Sequence, residues 1–429
     1  VARATVDRRL GWYLRLHLLC LILYAFFGKG FAYLGTRFFY VSEALLVLGL
    51  VALISSRKVL LLFRTSIGLA MLPFLLWEGA CALPYVSEYG IDVARDAMVW
   101  GYAAFGWIVA GMIVSCPSLI ERLLERYRRF VPWYLIFGPL AALVTVFFVT
   151  ALPTWPGTEV TIVSVKLDEF QAHLAGIAAF VITGLNPANW WLALVGVGLL
   201  IGSPNRGGFV GFALAFAAAV ILARRLRALL LPVIILIVLF FAAALDIHVA
   251  VPGGQREFSA SQLLDGLGSA VSSDVNTEDL QNTREWRLEW WQKIWDYTVR
   301  GPYFWTGKGY GINLANDDGL QEEGGLLRSP HNSHLTFLAR SGVPGFLLWI
   351  SLQLTWLATM LVSFLRARAS GKLRWAALFA WVISYWVAFV TAASFDVFLE
   401  NPMAAIPFWT IFGLGWGSHI IFSRYRVAA

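Results

Sequence analysis

The chain has 429 residues, of which 59% are hydrophobic and only 14% charged, and its mean hydropathy is +0.69. A soluble domain carries about 25% charged residues, so a soluble globular protein is excluded, and repeated apolar runs of roughly 17–23 residues match the length that crosses a bilayer as helix. The net charge of +7 does not read as a nucleic-acid surface, because the basic residues sit in short clusters at the ends of apolar runs, where they orient a membrane protein.

The pattern predicts an all-α polytopic membrane protein with about twelve transmembrane helices, at 11–27, 38–55, 59–77, 97–115, 131–151, 170–185, 188–202, 207–223, 228–250, 343–365, 374–397 and 403–423. The spans 170–185 and 188–202 are joined only by Asn186 and Pro187, so one of them is expected to be tilted, broken or re-entrant. Basic clusters near residues 3–9, 57–58, 122–129, 224–227, 366–374 and 424–426 alternate with short outer loops that hold only five basic residues, Lys29, Arg37, Arg95, Lys166 and Arg206. That asymmetry places both termini in the cytoplasm. Three parts follow: residues 1–250 with nine spans, a long outer loop at 251–342 with short helices, and residues 343–429 with three spans and a cytoplasmic tail. The first apolar run lacks a small-residue cleavage site, so no cleavable signal peptide is expected. Cys20, Cys81 and Cys116 have neither CxxC nor zinc spacing, and no disulfide is expected. The 20 tryptophans and 14 tyrosines suit aromatic belts at the two interfaces.

The long loop holds most of the chemistry. Pro252, Gly253 and Gly254 end the ninth span. Residues 259–282 are polar and lack aromatics, which reads as loose order. Residues 283–300 read as a helix, with Arg284, Arg287, Trp291 and Trp295 on one face and Trp286 and Trp290 on another. A Trp-rich, partly basic helix suits the membrane interface, with its rings at headgroup depth. Gly307-Lys308-Gly309-Tyr310-Gly311 follows, without the spacing of a P-loop. Asp317 and Asp318 read as a solvated acidic loop, a divalent cation site being the alternative.

The segment Ser329-Pro330-His331-Asn332-Ser333-His334 carries the most information. Pro330 biases Ser329 out of the helical region, so His331 stands near a helix start. Histidine is the one unperturbed side chain that exchanges protons near neutral pH. The plain account is a capping or interfacial histidine, but two histidines three apart beside Arg328 point to chemistry. Arg206 lies in the turn 202–208, rich in Gly and Pro, just before a span whose N-terminus favours negative charge. A snorkelling arginine is the alternative there, and lipid-headgroup contact is the alternative for Arg284 and Arg287. Several outer-side arginines beside a histidine suggest a pyrophosphate clamp, since guanidinium pairs bidentately with phosphate oxygens.

His331-Asn332, nine residues, Gly342, two residues and Gly345 resemble the His-Asn-x9-Gly-x-x-Gly signature of the O-antigen ligase family. Arg287 with Trp291, Pro302 and the run Gly307-x-Gly309-Tyr310-Gly311 are similar to the superfamily pattern upstream of that histidine. Ser203-x-x-Arg206-Gly207-Gly208 resembles the superfamily's earlier outer-loop arginine. The resemblance implies a membrane glycosyltransferase of GT-C-type architecture. Such enzymes move O-antigen polysaccharide from undecaprenyl pyrophosphate to lipid A-core on the periplasmic face of the bacterial inner membrane. The family is metal-independent and inverting, and it implies no cofactor and no nucleic-acid partner. Carried over by position, Arg206 and Arg287 would hold the pyrophosphate and His331 would be the general base. Arg284, Arg328, Asn332, His334 and Lys308 would line the substrate site. His334 has no counterpart in the signature, which leaves the choice of base between His331 and His334 open. An O-antigen polymerase or a protein O-oligosaccharyltransferase would share the donor chemistry. A transporter is disfavoured, because the two halves share no motif and the single long loop breaks any repeat symmetry.

Overall fold

The computed structural model describes residues 2–36, 39–54, 56–156, 158, 160–202, 205–244, 248–250, 257–259, 278–321, 325 and 327–427. The longer helices, in chain order, are α1 (Ala2–Phe27), α2 (Val41–Ile54), α3 (Ser66–Ala82), α4 (Ile91–Gly101), α5 (Ala103–Ser115), α6 (Leu119–Phe148), α7 (Leu167–Ile182), α8 (Trp191–Gly202), α9 (Arg206–Ala223), α10 (Leu230–Ala244), α11 (Glu278–Val299), α12 (Ser333–Ala369), α13 (Leu373–Ala392) and α14 (Pro402–Val427). Among the described residues, sheet is confined to two short antiparallel pairs, 35–36 with 39–40 and 248–250 with 257–259.

Every expected span overlaps one of these helices, but length separates them. Among the described residues, seven helices are long and apolar enough to cross a membrane, or nine if each of two bent pairs is one span. One bent pair is α4 with α5, which turn by 45° at their junction. Helix α8 has 12 residues and α10 has 15, whereas a full crossing takes about 20. Twelve full crossings are therefore not matched by helix length. Of the stretch 259–282, expected to be loosely ordered, residues 260–277 lie outside the described residues, whereas Ser259 ends a strand and 278–282 form the first turn of α11.

The apolar side chains left exposed explain why this fold needs lipid. Leu69, Leu72 and Leu76 form a bare stripe along α3, and Trp133, Ile136, Phe137 and Leu140 form another along α6. Their spacings of three and four put each set on one helix face, and continuous apolar surface of this kind is stable in hydrocarbon rather than water.

The chain divides into two compact units. The first comprises residues 1–48, 118–276 and 363–392. Its axis is α7, in which every residue from Asp168 to Ile182 is buried, as expected of a helix enclosed by others. Tyr385 of α13 lies against Gly176, where a Cβ would come within 2.4 Å of its ring. Trp381 donates to the Gly176 carbonyl at 3.0 Å. Gln171 donates to the Gly202 carbonyl at 2.9 Å, fixing the end of α8.

The second unit comprises residues 49–117, 277–362 and 393–429. Helices α5 and α14 meet through small residues: a Cβ on Gly413 would lie 2.5 Å from the Gly106 carbonyl oxygen. Such close backbone approach substitutes for the hydrophobic drive that membranes lack. Around this seam Trp349, Trp356, Trp409 and Trp416 are fully buried. Three of their indole N–H groups are satisfied inside the unit, Trp349 by His334 Nδ1 at 3.0 Å, Trp356 by the Phe412 carbonyl at 2.9 Å and Trp416 by Thr65 Oγ1 at 2.9 Å.

Helix α12 is broken at Gly342, whose φ is 69° and ψ −171°. A Cβ there would lie 2.4 Å from the Phe304 carbonyl oxygen. That same carbonyl accepts from Val343 N at 2.8 Å, clamping the break. Both the conformation and the space demand glycine. Gly342→Ala is expected to destabilise the second unit by at least the 1–3 kcal/mol typical of a strained backbone position. A thermal midpoint in detergent checks this, with no loss counting against the clamp.

Candidate active site

The site is built where α12 begins. Asn332 is the N-cap: its side-chain carbonyl accepts from the backbone N–H of His334 at 3.0 Å and Leu335 at 3.1 Å. Asparagine does this well because it satisfies N–H groups that the first turn leaves unpaired. His331 stands immediately before the cap with φ at 51°, a left-handed conformation that costs energy outside glycine. Strain of this sort persists where surrounding contacts over-determine it. Here Ser333 N donates to the Ala393 carbonyl at 2.8 Å, and Leu399 N donates to Ser333 Oγ at 3.0 Å. Thr336 Oγ1 adds a bond to Glu400 at 2.8 Å. The segment 393–401, between α13 and α14, is thus stitched to the first turn of α12.

The same segment holds the imidazole. His331 Nδ1 lies 2.9 Å from Asp396 Oδ1. An ionised carboxylate can only accept, so Nδ1 carries a proton, and in the neutral ring Nε2 is the nitrogen with the lone pair. A carboxylate that fixes the tautomer and steadies a developing imidazolium is the arrangement a general base needs. The imidazole is 25% exposed and Asp396 19%, so the pair is sheltered yet reachable.

Helix α11 supplies the neighbouring cation. Arg287 Nη1 donates to the Phe395 carbonyl at 3.1 Å, one residue from Asp396. Its Nε is buried and has no hydrogen-bond partner among the described residues. An unsatisfied buried guanidinium N–H is costly and is the donor an anionic ligand would complete. The rest of α11 anchors it. Trp291 donates to the Pro330 carbonyl at 2.9 Å, and the Trp286 ring meets His331 edge-on at 6.1 Å. Trp290, expected with its ring at headgroup depth, is instead fully buried and donates to Asp318 at 2.7 Å. The reason is local: Trp290 packs with Ile294, Leu314, Leu338 and Ala339 in a small core of the loop's own.

Other cations expected at the substrate have internal partners. Arg328 binds Asp96 through Nε at 3.2 Å and Nη2 at 3.0 Å. Lys308 is buried and reaches Asp318 at 2.6 Å as well as Asp317. Burial alone would lower its pKa, but hydrogen bonds to both aspartates and their charges outweigh this and hold it above the usual lysine value. The lysine occupies the place where the acidic pair would otherwise bind a cation. His334 accepts at Nδ1 from the Trp349 indole at 3.0 Å, which gives it a packing role on α12. Arg206 is the first residue of α9 in the first unit, where Asn205 caps the helix by accepting from Gly208 N at 2.8 Å. The side chain of Arg284 lies outside the described residues.

Three residues that matter were missed by reading the sequence: Asp396, Asp96 and Arg340. Asp396 was hidden in an apolar run read as a span to residue 397, whereas α13 ends at Ala392. An acidic residue inside such a run was the available signal. Arg340 is 1% exposed and pairs with Asp96 at 3.0 Å. Removing Asp96's charge leaves that arginine buried without its ion-pair partner. Asp96→Asn is therefore expected to cost about 3–5 kcal/mol, read as a lowered thermal midpoint and partly restored when Arg340→Met is added. An unchanged midpoint would show the cluster to be dispensable.

The comparisons with known proteins bear on the same residues. A family model described as O-antigen ligase matches residues 191–350, a stretch that includes Arg206, Arg287 and His331. Comparison with curated proteins gives no match. Residues 191–350 of the chain are thus similar to the O-antigen ligase family.

Proposed function

We propose that the protein is an O-antigen ligase of the bacterial inner membrane. It has about twelve helices in a GT-C-type arrangement, both termini in the cytoplasm, and the loop 251–342 on the periplasmic side. The donor is O-antigen on undecaprenyl pyrophosphate and the acceptor is lipid A-core. The observation that carries this reading is the His331–Asp396 pair beside Arg287, on a stretch matched by the family.

In this reading His331 Nε2 takes the proton of the acceptor hydroxyl as its oxygen attacks the anomeric carbon. The bond from that carbon to the pyrophosphate oxygen breaks with inversion, and undecaprenyl pyrophosphate leaves with the bonding pair. Asp396 stabilises the imidazolium. Arg287 meets the growing negative charge, a task a fixed guanidinium performs in a partly dry site. The unpaired Nε of Arg287 supports this assignment. The His331–Asp396 contact supports His331 rather than His334 as base, since His334 is engaged by Trp349. Arg206 is read as a second phosphate-binding residue on its sequence pattern alone. Arg284 and Asn332 stay assigned to substrate lining, Asn332 chiefly by capping. Arg328 and Lys308 act on the substrate through the loop they brace.

The test is a reconstituted reaction with defined lipid-linked donor and three acceptors: lipid A-core, a second donor-linked repeat, and a peptide. Transfer to lipid A-core is expected. Transfer to the repeat identifies a polymerase, and transfer to the peptide a protein glycosyltransferase. With lipid A-core, His331→Ala is expected to slow transfer on the order of 10²–10⁴-fold, the usual contribution of a positioned base. Asp396→Asn is expected to slow it about 10²-fold or more with little change in donor KM, because the wrong tautomer is favoured. Full activity of both variants at normal expression would refute the assignment.

A further inference from the structure

The first unit contains a cavity of about 420 Å³ that has no part in the chemistry above. It is framed by the ends of α7, α9 and α12, the start of α13, and α6. Four arginines line it, Arg128, Arg225, Arg368 and Arg374, and no carboxylate does. Two of the four have acidic neighbours at the rim. Arg128 pairs with Glu125 at 2.8 Å, and Arg374 pairs with Glu121. The other two have only neutral partners among the described residues: Arg225 meets Asn189 Oδ1 at 3.5 Å, and Arg368 meets the Leu222 carbonyl at 2.9 Å.

Backbone charge adds to this. The C-terminal ends of α7 and α9 would repel an anion, but an arginine stands at each, one just past α7 and one in the last turn of α9. Arg128 Nη2 donates to the Leu185 carbonyl at 2.8 Å, and Arg368 covers that of Leu222. The start of α13, a helix of 20 residues, lines the cavity from Leu373 to Ala380, and the positive end of its dipole favours an anion. The apolar remainder fits a lipid better than a free ion. Leu124 and Phe364 close one side, and Leu373, itself a lining residue, is 70% exposed. An arginine-framed hollow opening onto bare leucine offers a charged seat with an adjoining surface for acyl chains.

We propose that this cavity binds the phosphate of an anionic glycerophospholipid, with Arg225 and Arg368 as its principal ligands. The proposal is independent of the transferase reading, since none of these residues belongs to the catalytic set.

The test uses the full chain purified in detergent. Lipid retention is counted by native mass spectrometry, and the thermal midpoint is followed with dioleoyl-phosphatidylglycerol, dioleoyl-phosphatidylcholine or inorganic phosphate. Phosphatidylglycerol is expected to remain bound and to raise the midpoint, and phosphatidylcholine is not. The double variant Arg225→Gln/Arg368→Gln is expected to weaken retention about tenfold or more, as loss of charge-assisted contacts does. Arg122→Gln/Arg126→Gln removes the same charge from exposed positions on α6 outside the cavity and is expected to bind like the parent. Ala377→Trp fills the hollow with all four arginines in place; it should also lose the lipid, and it carries the test if the double variant does not fold. Unchanged retention in both cavity variants, or equal loss in the exposed control, overturns the site. A midpoint shift with inorganic phosphate alone, abolished by the cavity variants, upholds the phosphate seat and overturns lipid as its source.

Discussion

The second unit depends on one buried carboxylate. Asp96 receives two guanidinium groups, from Arg328 and Arg340, and the backbone N–H of Gly311 at 3.0 Å. Those three donors come from different parts of the polar loop and from α12, while Asp96 sits on α4. A desolvated carboxylate tolerates burial only when its acceptor sites are filled by such partners. The loop packs a small apolar core of its own, and this ionic node ties it to α4. A second buried carboxylate works beside it: Glu78 accepts from Ser341 Oγ at 2.8 Å and from Tyr310. Together they bind the run 307–311 and the middle of α12 to α3 and α4.

That architecture sorts the loop's cations by their partners. Arg328, Arg340 and Lys308 are neutralised by aspartates and shape the loop. Arg287 is held by a carbonyl, which fixes its position without cancelling its charge. A cation placed in this second way keeps its charge for a ligand. The same logic separates the two histidines, one set against a carboxylate and the other against an indole.

Much of this was legible in the sequence because it is local. Hydropathy located the helices, and Pro330 with Asn332 marked the start of α12. The spacing from His331 to Gly342 and Gly345 has direct physical causes. Gly342 is a break that admits no side chain, and a Cβ on Gly345 would lie 2.0 Å from Ser341 Oγ. What the sequence hid is distant. Asp96 lies 232 residues from Arg328, and Asp396 lies 65 from His331. No local pattern announces such pairs, and an acid within an apolar run is easily absorbed into a span. The burial of Trp290 was hidden for the same reason, since its partner Asp318 comes from another turn of the loop.

The break at Gly342 also has a mechanical meaning. It interrupts the hydrogen-bond ladder between the short segment that follows His331 and the long membrane-crossing remainder of α12. The short segment is pinned by residues 393–401, and the break is pinned by Phe304. A bilayer that thickens or thins obliges a crossing helix to change its tilt. With the break clamped by Phe304 and the first turn held by residues 393–401, the station of the imidazole rests on these contacts and not on an unbroken helix.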